Sequence, residues 1–515
     1  MPETAQDSIV ELDGPLTRAG VVAVAREGAK VRLSEAAEKR IASAREHVEA
    51  LAAGPVATYG VSTGFGALAT RHIPPESRAA LQRSLIRSHA AGAGPAVEPE
   101  VVRAQMLLRL RTLATGHTGI KPQTAATLAA MINAGITPIV HEYGSLGCSG
   151  DLAPLAAVAL ALMGEGQVVD ASGALVDAAT ALRANDIEPV VLAEKEGLAL
   201  TNGTDGMLGM LVLALDDLHR LLDVADITAA MSVEALLGTD RVFAADLQAL
   251  RPHPGQARAA ERIEAALADS DIVASHRGPD CNRVQDAYSL RCAPQVHGAA
   301  RDTVAYAETV ADRELASAVD NPVVLADGRL ESNGNFHGAP VAYVLDFLAI
   351  PIADVASMAE RRTDRMLDTA RSHGLPAFLA ADPGVDSGHM IAQYTQAAVV
   401  SELKRLAVPA SVDSIPSSAM QEDHVSMGWS GARKLRKAVD ALTTVLAIEY
   451  LTAARALDMR APLRPGPATA AAVALLRTVV DGPGPDRHLA PEIAAAEELV
   501  RSGALLRAVE PHLGA

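Results

Sequence analysis

The sequence predicts a mainly α protein, a bundle of long helices with a smaller N-terminal lobe. Ala and Leu dominate a 515-residue chain that is 49% hydrophobic, while aromatic residues make up only 3%. That composition favours packed helices over a β-sandwich. Helical periodicity then extends over unusually long segments in the C-terminal part, as a bundle requires. The length allows roughly two to four domain-sized units. A lobe over residues 1–200 and a bundle with C-terminal helices over 201–515, integrated as one unit, is the expected division.

The elements follow in order. Ser34 stands before Glu35 and Glu38, and Ala37, Ile41, Ala44, Val48 and Leu51 recur on one helical face until Gly54. This predicts a capped amphipathic helix. Tyr59 to Gly66 reads Y-G-V-S-T-G-F-G, a glycine-punctuated loop. Helical patterns resume over Arg78 to Ala91, Val101 to Thr115 and Thr124 to Ala134. Asp151 can cap a further helix from Leu152, with Pro154 in its first turn and Gly164 and Gly166 at its end. Long helices are predicted over Met207 to Leu237, Pro294 to Val319, Ala339 to Leu367, Met390 to Ala407 and Ala432 to Leu457. Asp320 to Gly334 reads as a short hairpin. Glu188 to Glu196 and Pro462 to Pro467 are the candidate linkers.

Charge and cysteine usage narrow the function classes. The net charge is −17 and no long basic run is present, which argues against a nucleic-acid partner. Cys148, Cys281 and Cys292 match no zinc or redox spacing, and so few suggest a reducing compartment. Met1 to Glu11 is polar and acidic, unlike a signal peptide. Leu152 to Met163, read as the longest strongly apolar stretch, is too short to cross a bilayer. A soluble cytoplasmic protein without a membrane partner is expected.

The segment richest in chemistry is Gly144 to Ala156, G-S-L-G-C-S-G-D-L-A-P-L-A. Within it, Cys148-Ser149-Gly150 can react with itself. The Gly150 amide nitrogen can attack the Cys148 carbonyl, because glycine has no Cβ to block the approach. Loss of water closes a five-membered ring, and loss of a second water from Ser149 leaves an exocyclic methylene. The product is 4-methylidene-imidazol-5-one (MIO), an electrophile that ordinary side chains lack. A helix N-terminus beside it would stabilise the charge it takes up. The same residues also suit a simple capped turn before a core helix. A serine-hydrolase elbow fails, since Asp151 stands where the second glycine of G-x-S-x-G belongs.

Other candidates each carry two readings. Tyr59 can be a general base if its pKa is lowered, or an aromatic anchor of its loop. His89, in S-H-A-A-G, is a binding group or an ordinary buried histidine. Asn202 is a polar site residue or a turn residue before Gly203. Gln285, Tyr288 and Arg291 are spaced to share a helical face, and Arg291 can hold a carboxylate in a bidentate fork, or form a salt bridge. Phe336 packs somewhere, as one of five phenylalanines. Glu422, in Q-E-D-H, is a buried acid in a site or part of a solvated cluster. His141-Glu142-Tyr143-Gly144-Ser145 is not H-E-x-x-H, so no metal site is expected.

Together the segments Tyr59 to Gly66, Ser88 to Gly92, Gly144 to Leu155, Lys195 to Thr204 (K-E-G-L-A-L-T-N-G-T) and Val284 to Arg291 (V-Q-D-A-Y-S-L-R) form an ordered set. It continues with Asp320-Asn321-Pro322, Gly334 to His337 (G-N-F-H) and Ala410 to Gly428. In that order the chain resembles, over nearly its whole length, the aromatic amino-acid ammonia-lyases, and among them the branch acting on histidine. Three departures from the family pattern stand out. Cys148 replaces a frequent Ala, Ala156-Ala157 a frequent Ser-His, and Met420 a frequent Asn.

The resemblance implies a helical bundle of the ammonia-lyase and fumarase–aspartase-like type, assembled as a homotetramer with sites built from three chains. It implies loss of ammonia from L-histidine to give trans-urocanate, the first step of histidine breakdown. MIO would form autocatalytically from Cys148, Ser149 and Gly150, with no external cofactor. Tyr59 would take the β-proton and Tyr288 assist. Arg291 would bind the substrate carboxylate, and Asn202 and Gln285 would orient the ring or amine. Phe336 would pack beside the prosthetic group, and His89 and Glu422 would recognise the imidazole or amine end. A tyrosine or phenylalanine lyase or aminomutase shares most of these features.

Overall fold

The computed structural model describes residues 8–55, 58–64, 66–68, 70–278, 281 and 284–514. Phe65 of the glycine loop and residues 1–7 of the polar N-terminus lie outside them. Helix covers 59% of the chain, and the strands have only two to four residues, so the chain is mainly α. Ser34 caps as its sequence predicts. Its Oγ accepts from the Ala37 amide at 3.0 Å, opening the helix Glu35–Ala53. The long helices are Asp205–Ala235, Ala293–Ala316, Ala339–Leu367, Met390–Leu406 and Gly428–Asp458. Each lies within a few residues of its periodic segment.

Two compact units emerge. The first comprises Met1–Leu213, Glu308–Asp346 and Pro409–Arg433, and the second Ala214–Ala307, Phe347–Val408 and Lys434–Ala515. Four of the boundaries fall inside long helices. A single cut in chain order at residue 200 therefore leaves out two segments, 308–346 and 409–433, that complete the first unit.

In the first unit short sheets brace the helices. Ile9–Leu12 pairs in parallel with Lys30–Leu33, and Ala93–Ala96 pairs antiparallel with His141–Tyr143. Thr137–Pro138, Gln167–Val169 and Leu175–Asp177 form a three-stranded sheet. The hairpin predicted over 320–334 forms, with Val323 opposite Glu331 and Val324 opposite Leu330. The linker expected at Glu188 to Glu196 is instead anchored at its end. Glu196 is fully buried and accepts from the Lys121 amide (3.0 Å), Thr124 Oγ1 (2.6 Å) and the Ala193 amide (2.7 Å). A carboxylate with this many donors is held inside the fold.

In the second unit the helices meet through apolar side chains that include Leu222, Val304, Leu348 and Leu442. One buried carboxylate ties three of them. Glu449 forms a two-point pair with Arg362 (2.5 and 3.0 Å) and accepts from Thr228 and Ser232 at 2.7 and 2.8 Å. Such a fully partnered charge fixes the register between helices. The helix Ala339–Leu367 is long and apolar enough to cross a membrane by length and composition, and 61% of its apolar window is buried inside the protein. Reading Leu152 to Met163 as the longest apolar stretch overlooked it, because Asp346 and Asp354 interrupt the run.

Candidate active site

Cys148-Ser149-Gly150 lies in a loop between the strand His141–Tyr143 and the helix Leu152–Leu162. Gly150 has φ +80°, and a Cβ there would sit 2.0 Å from the Gly203 carbonyl oxygen. Only glycine fits. Gly203 is equally crowded, since its Cβ would lie 2.5 Å from Arg109 Nη2. The Asp151 amide donates to Gly203 O at 2.7 Å. On the other side Ser426 Oγ donates to Gly147 O at 2.7 Å and the Met427 amide to Leu146 O at 2.9 Å. The Gly338 amide also donates to Gly147 O, at 3.1 Å. Backbone is pressed on backbone from several segments at once.

Asp151 does not cap its own helix. No side-chain cap bond is made at Leu152. Its Oδ2 accepts instead from the Gly206 and Met207 amides at 2.9 and 3.0 Å, and Oδ1 from Ser145 Oγ at 2.8 Å. It thus caps the helix Asp205–Ala235, whose free N–H groups need an acceptor. Burial raises its pKa to about 7, against these donors.

Glu422 reaches the tripeptide. Its Oε1 accepts from Ser149 Oγ at 3.2 Å, and Oε2 from Cys148 Sγ at 3.1 Å and Ser417 Oγ at 2.8 Å. Burial, then the Glu422 contact, pushes the Cys148 thiol up to about 12, so it is a donor and not a thiolate. The loop carrying Glu422 turns through Ser418, Ala419 and Met420, all with φ between +52° and +69°. Successive left-handed residues without glycine are costly. At Met420 the Asn common in the family would tolerate this backbone better.

Tyr59 and His89 share the electrostatic surroundings of Glu422. The Tyr59 hydroxyl accepts from the Gly66 amide at 3.5 Å. Burial raises its pKa, Gly66 lowers it, and Glu422 and Asp320 raise it further. This is the opposite of the lowering that a general base needs. His89 Nδ1 lies 3.0 Å from Ser88 Oγ, which gives its own hydrogen to Leu85 O. Nδ1 therefore carries the proton and Nε2 is left as an acceptor. Burial lowers the His89 pKa and favours this neutral form.

Asn202 donates from Nδ2 to Asn321 O at 2.7 Å, and its Oδ1 is buried with no partner among the described residues. Phe336 is half-buried beside His337, whose ring stacks on His424 at 5.6 Å. The stack joins the N-F-H and Q-E-D-H segments. Gln285, Tyr288 and Arg291 belong to the second unit. The expected common helical face is not formed, because the helix there is only Tyr288–Arg291 and Gln285 precedes it. They are joined through Arg291 instead. Its Nη2 donates to Gln285 Oε1 at 2.9 Å and its guanidinium lies over the Tyr288 ring at 4.7 Å. Tyr288 is 70% exposed.

Some residues of the site carried no assigned role in the sequence. Lys195 and Asp320 form a fully buried pair at 2.5 Å, beside Arg109 and Asp205 at 3.2 Å. Lys195 packs against the Gly60 backbone. Both lie in the K-E-G-L and D-N-P motifs, so the signal was present, yet nothing local pairs residues so far apart. Ser417 and Ser145 were equally silent.

The family model for aromatic amino acid lyases matches residues 16–478. The histidine ammonia-lyases of Streptomyces coelicolor and Streptomyces griseus are 65% and 66% identical to this chain. The alignments span 97% of it and 98% and 97% of theirs. Among solved structures, histidine ammonia-lyase from Trypanosoma cruzi superposes with a TM-score of 0.90 at 38% identity, covering 98% of this chain and 96% of that one. Tyrosine aminomutase from Streptomyces globisporus gives 0.91 at 37%, covering 98% of both. Neither fold likeness nor identity to these two structures separates their activities, whereas both Streptomyces relatives at 65–66% identity are histidine ammonia-lyases.

Proposed function

The chain belongs to the aromatic amino acid lyase family, and from that premise we propose that it eliminates ammonia from L-histidine to give trans-urocanate. The observation that carries the reading is Glu422, a carboxylate within hydrogen-bond distance of Cys148 and Ser149. Beside it the neutral His89 offers a second acceptor. An imidazole presents an N–H that such acceptors satisfy, and a phenyl ring does not.

The tripeptide residues fit the expected MIO, since Gly150 admits no side chain and Ser149 has a hydroxyl to lose. The ring supplies an electrophile toward the substrate. Side chains from copies of this chain do the rest. Arg291 binds the carboxylate, with Gln285 and Tyr288 holding its guanidinium. Asn202 Oδ1, buried and unpartnered, accepts from the substrate amine. Phe336 closes the pocket beside the ring. Tyr59 takes the β-proton, with Tyr288 assisting. The positive charge that Tyr59 lacks comes from the substrate ammonium and the Arg291 guanidinium, both of which favour the phenolate.

Purified protein given L-histidine should produce the ultraviolet absorbance of urocanate. Tyrosine and phenylalanine should react far more slowly, by roughly 10⁴-fold where buried polar groups go unpaired. Comparable kcat/KM for tyrosine and histidine would refute the substrate assignment. His89→Phe should lower histidine turnover more than phenylalanine turnover.

The working form in this reading is a cytoplasmic homotetramer in which Gln285, Tyr288, Arg291 and Phe336 complete sites of other chains. The exposure of Tyr288 supports it, and such obligate interfaces commonly bury more than about 2,000 Å². Co-expressed Tyr59→Phe and Arg291→Ala chains should then regain activity that neither has alone, in step with mixed tetramers seen by light scattering. Confirmed mixed tetramers without regained activity would count against shared sites.

A further inference from the structure

Among the described residues three donors meet the Glu422 carboxylate, and they differ in permanence. Cys148 Sγ and Ser417 Oγ both donate to Oε2, at 3.1 and 2.8 Å, while Ser149 Oγ alone among them donates to Oε1, at 3.2 Å. Ring formation removes two waters. The first takes the Cys148 carbonyl oxygen with the amide hydrogens of Ser149 and Gly150. The second takes the Ser149 hydroxyl with its Cα hydrogen. Oε1 thereby loses its donor and Oε2 keeps both.

We infer that the Cys148 thiol and the Ser417 hydroxyl are positioning residues for Glu422, holding Oε2 so that Oε1 is presented to the N–H of the substrate ring. The inference rests on the histidine reading above and deepens it. Cys148 then contributes twice, its carbonyl carbon to the ring and its side chain to the pocket. Ser417 is well placed for the task, since its amide donates to Glu422 O at 2.9 Å across the left-handed turn. The thiol stays protonated through neutral pH, so it remains a donor. An alanine at 148 would form the same ring and leave Ser417 alone on Oε2.

The test combines a spectroscopic and a binding readout. In a Cys281→Ser, Cys292→Ser background, the infrared S–H stretch of Cys148 should shift when Glu422 is replaced by Gln. Cys148→Ala should keep the two-water mass deficit yet bind trans-urocanate more weakly by calorimetry, by about tenfold or more, as loss of one donor to a charged group implies. Cys148→Ser should restore binding. Adding Ser417→Ala should deepen the loss, and neither change should matter in a Glu422→Ala background. Unchanged urocanate affinity in Cys148→Ala with its ring formed would overturn the inference, as would an S–H stretch indifferent to Glu422. Wild-type protein that neither binds urocanate nor converts histidine, while the S–H stretch still responds, would instead overturn the histidine reading.

Discussion

Ser149→Ala is expected to fold and to lose histidine turnover by about 10⁴-fold, the scale seen when a group that acts as a unit with its neighbours is deleted. Alanine can still be part of a closed ring, but no hydroxyl can leave and no exocyclic methylene forms. The structural cost is small. The contact of the Ser149 hydroxyl to Glu422 at 3.2 Å is given up in the mature wild type as well, because ring formation removes that hydroxyl. Circular dichroism should show the native helix content, and light scattering the native assembly. Urocanate absorbance near the wild-type rate from such a protein would remove the ring from the account. A variant that aggregates would be replaced by Ser149→Thr, which keeps a hydroxyl and is expected to retain far more activity than Ala.

Tyr59→Phe should cost about 10²- to 10⁴-fold in kcat, the usual contribution of a positioned base. Phe keeps the ring and removes the hydroxyl that accepts from Gly66. The pH profile adds a check. Burial, Glu422 and Asp320 hold the free hydroxyl above the ordinary tyrosine value, so the phenolate grows only as pH rises. Wild-type kcat/KM should therefore climb through the alkaline range. The Phe variant should lose that limb along with the rate. A variant that keeps both would assign the proton to another group, with Tyr288 the first alternative.

Most of the helical frame was legible because periodicity over long segments is a strong signal. Ala339–Leu367 begins and ends where its apolar pattern does. The strands were not, apart from the hairpin near residue 325, because two to four residues carry no readable alternation. The site divides in the same way. The tripeptide and Tyr59 were visible as local chemistry, through glycine spacing and residue type. Arg291 suggested a carboxylate fork by residue type, while Glu422, His89, Asn202, Phe336 and Gln285 acquired their roles only through family resemblance, since nothing nearby in sequence says which polar residue faces a site. Asp151 shows the limit of local rules. Its position before Leu152 suggested a cap there, but tertiary packing offered the amides of Gly206 and Met207 instead. The Lys195–Asp320 pair, separated by 125 residues, was beyond any local rule.

The account turns on an electrophile made from the chain itself, and the mass of the active enzyme tests this most directly. Protein shown to convert L-histidine should have its intact mass compared with that of the Ser149→Ala variant, after allowing for the substituted oxygen, and a separate portion should be digested to locate any deficit. The expected result is a wild-type chain lighter than its sequence by two water molecules, with the deficit confined to the peptide holding Cys148, Ser149 and Gly150. An unmodified mass in fully active protein would contradict the account, whatever the substrate.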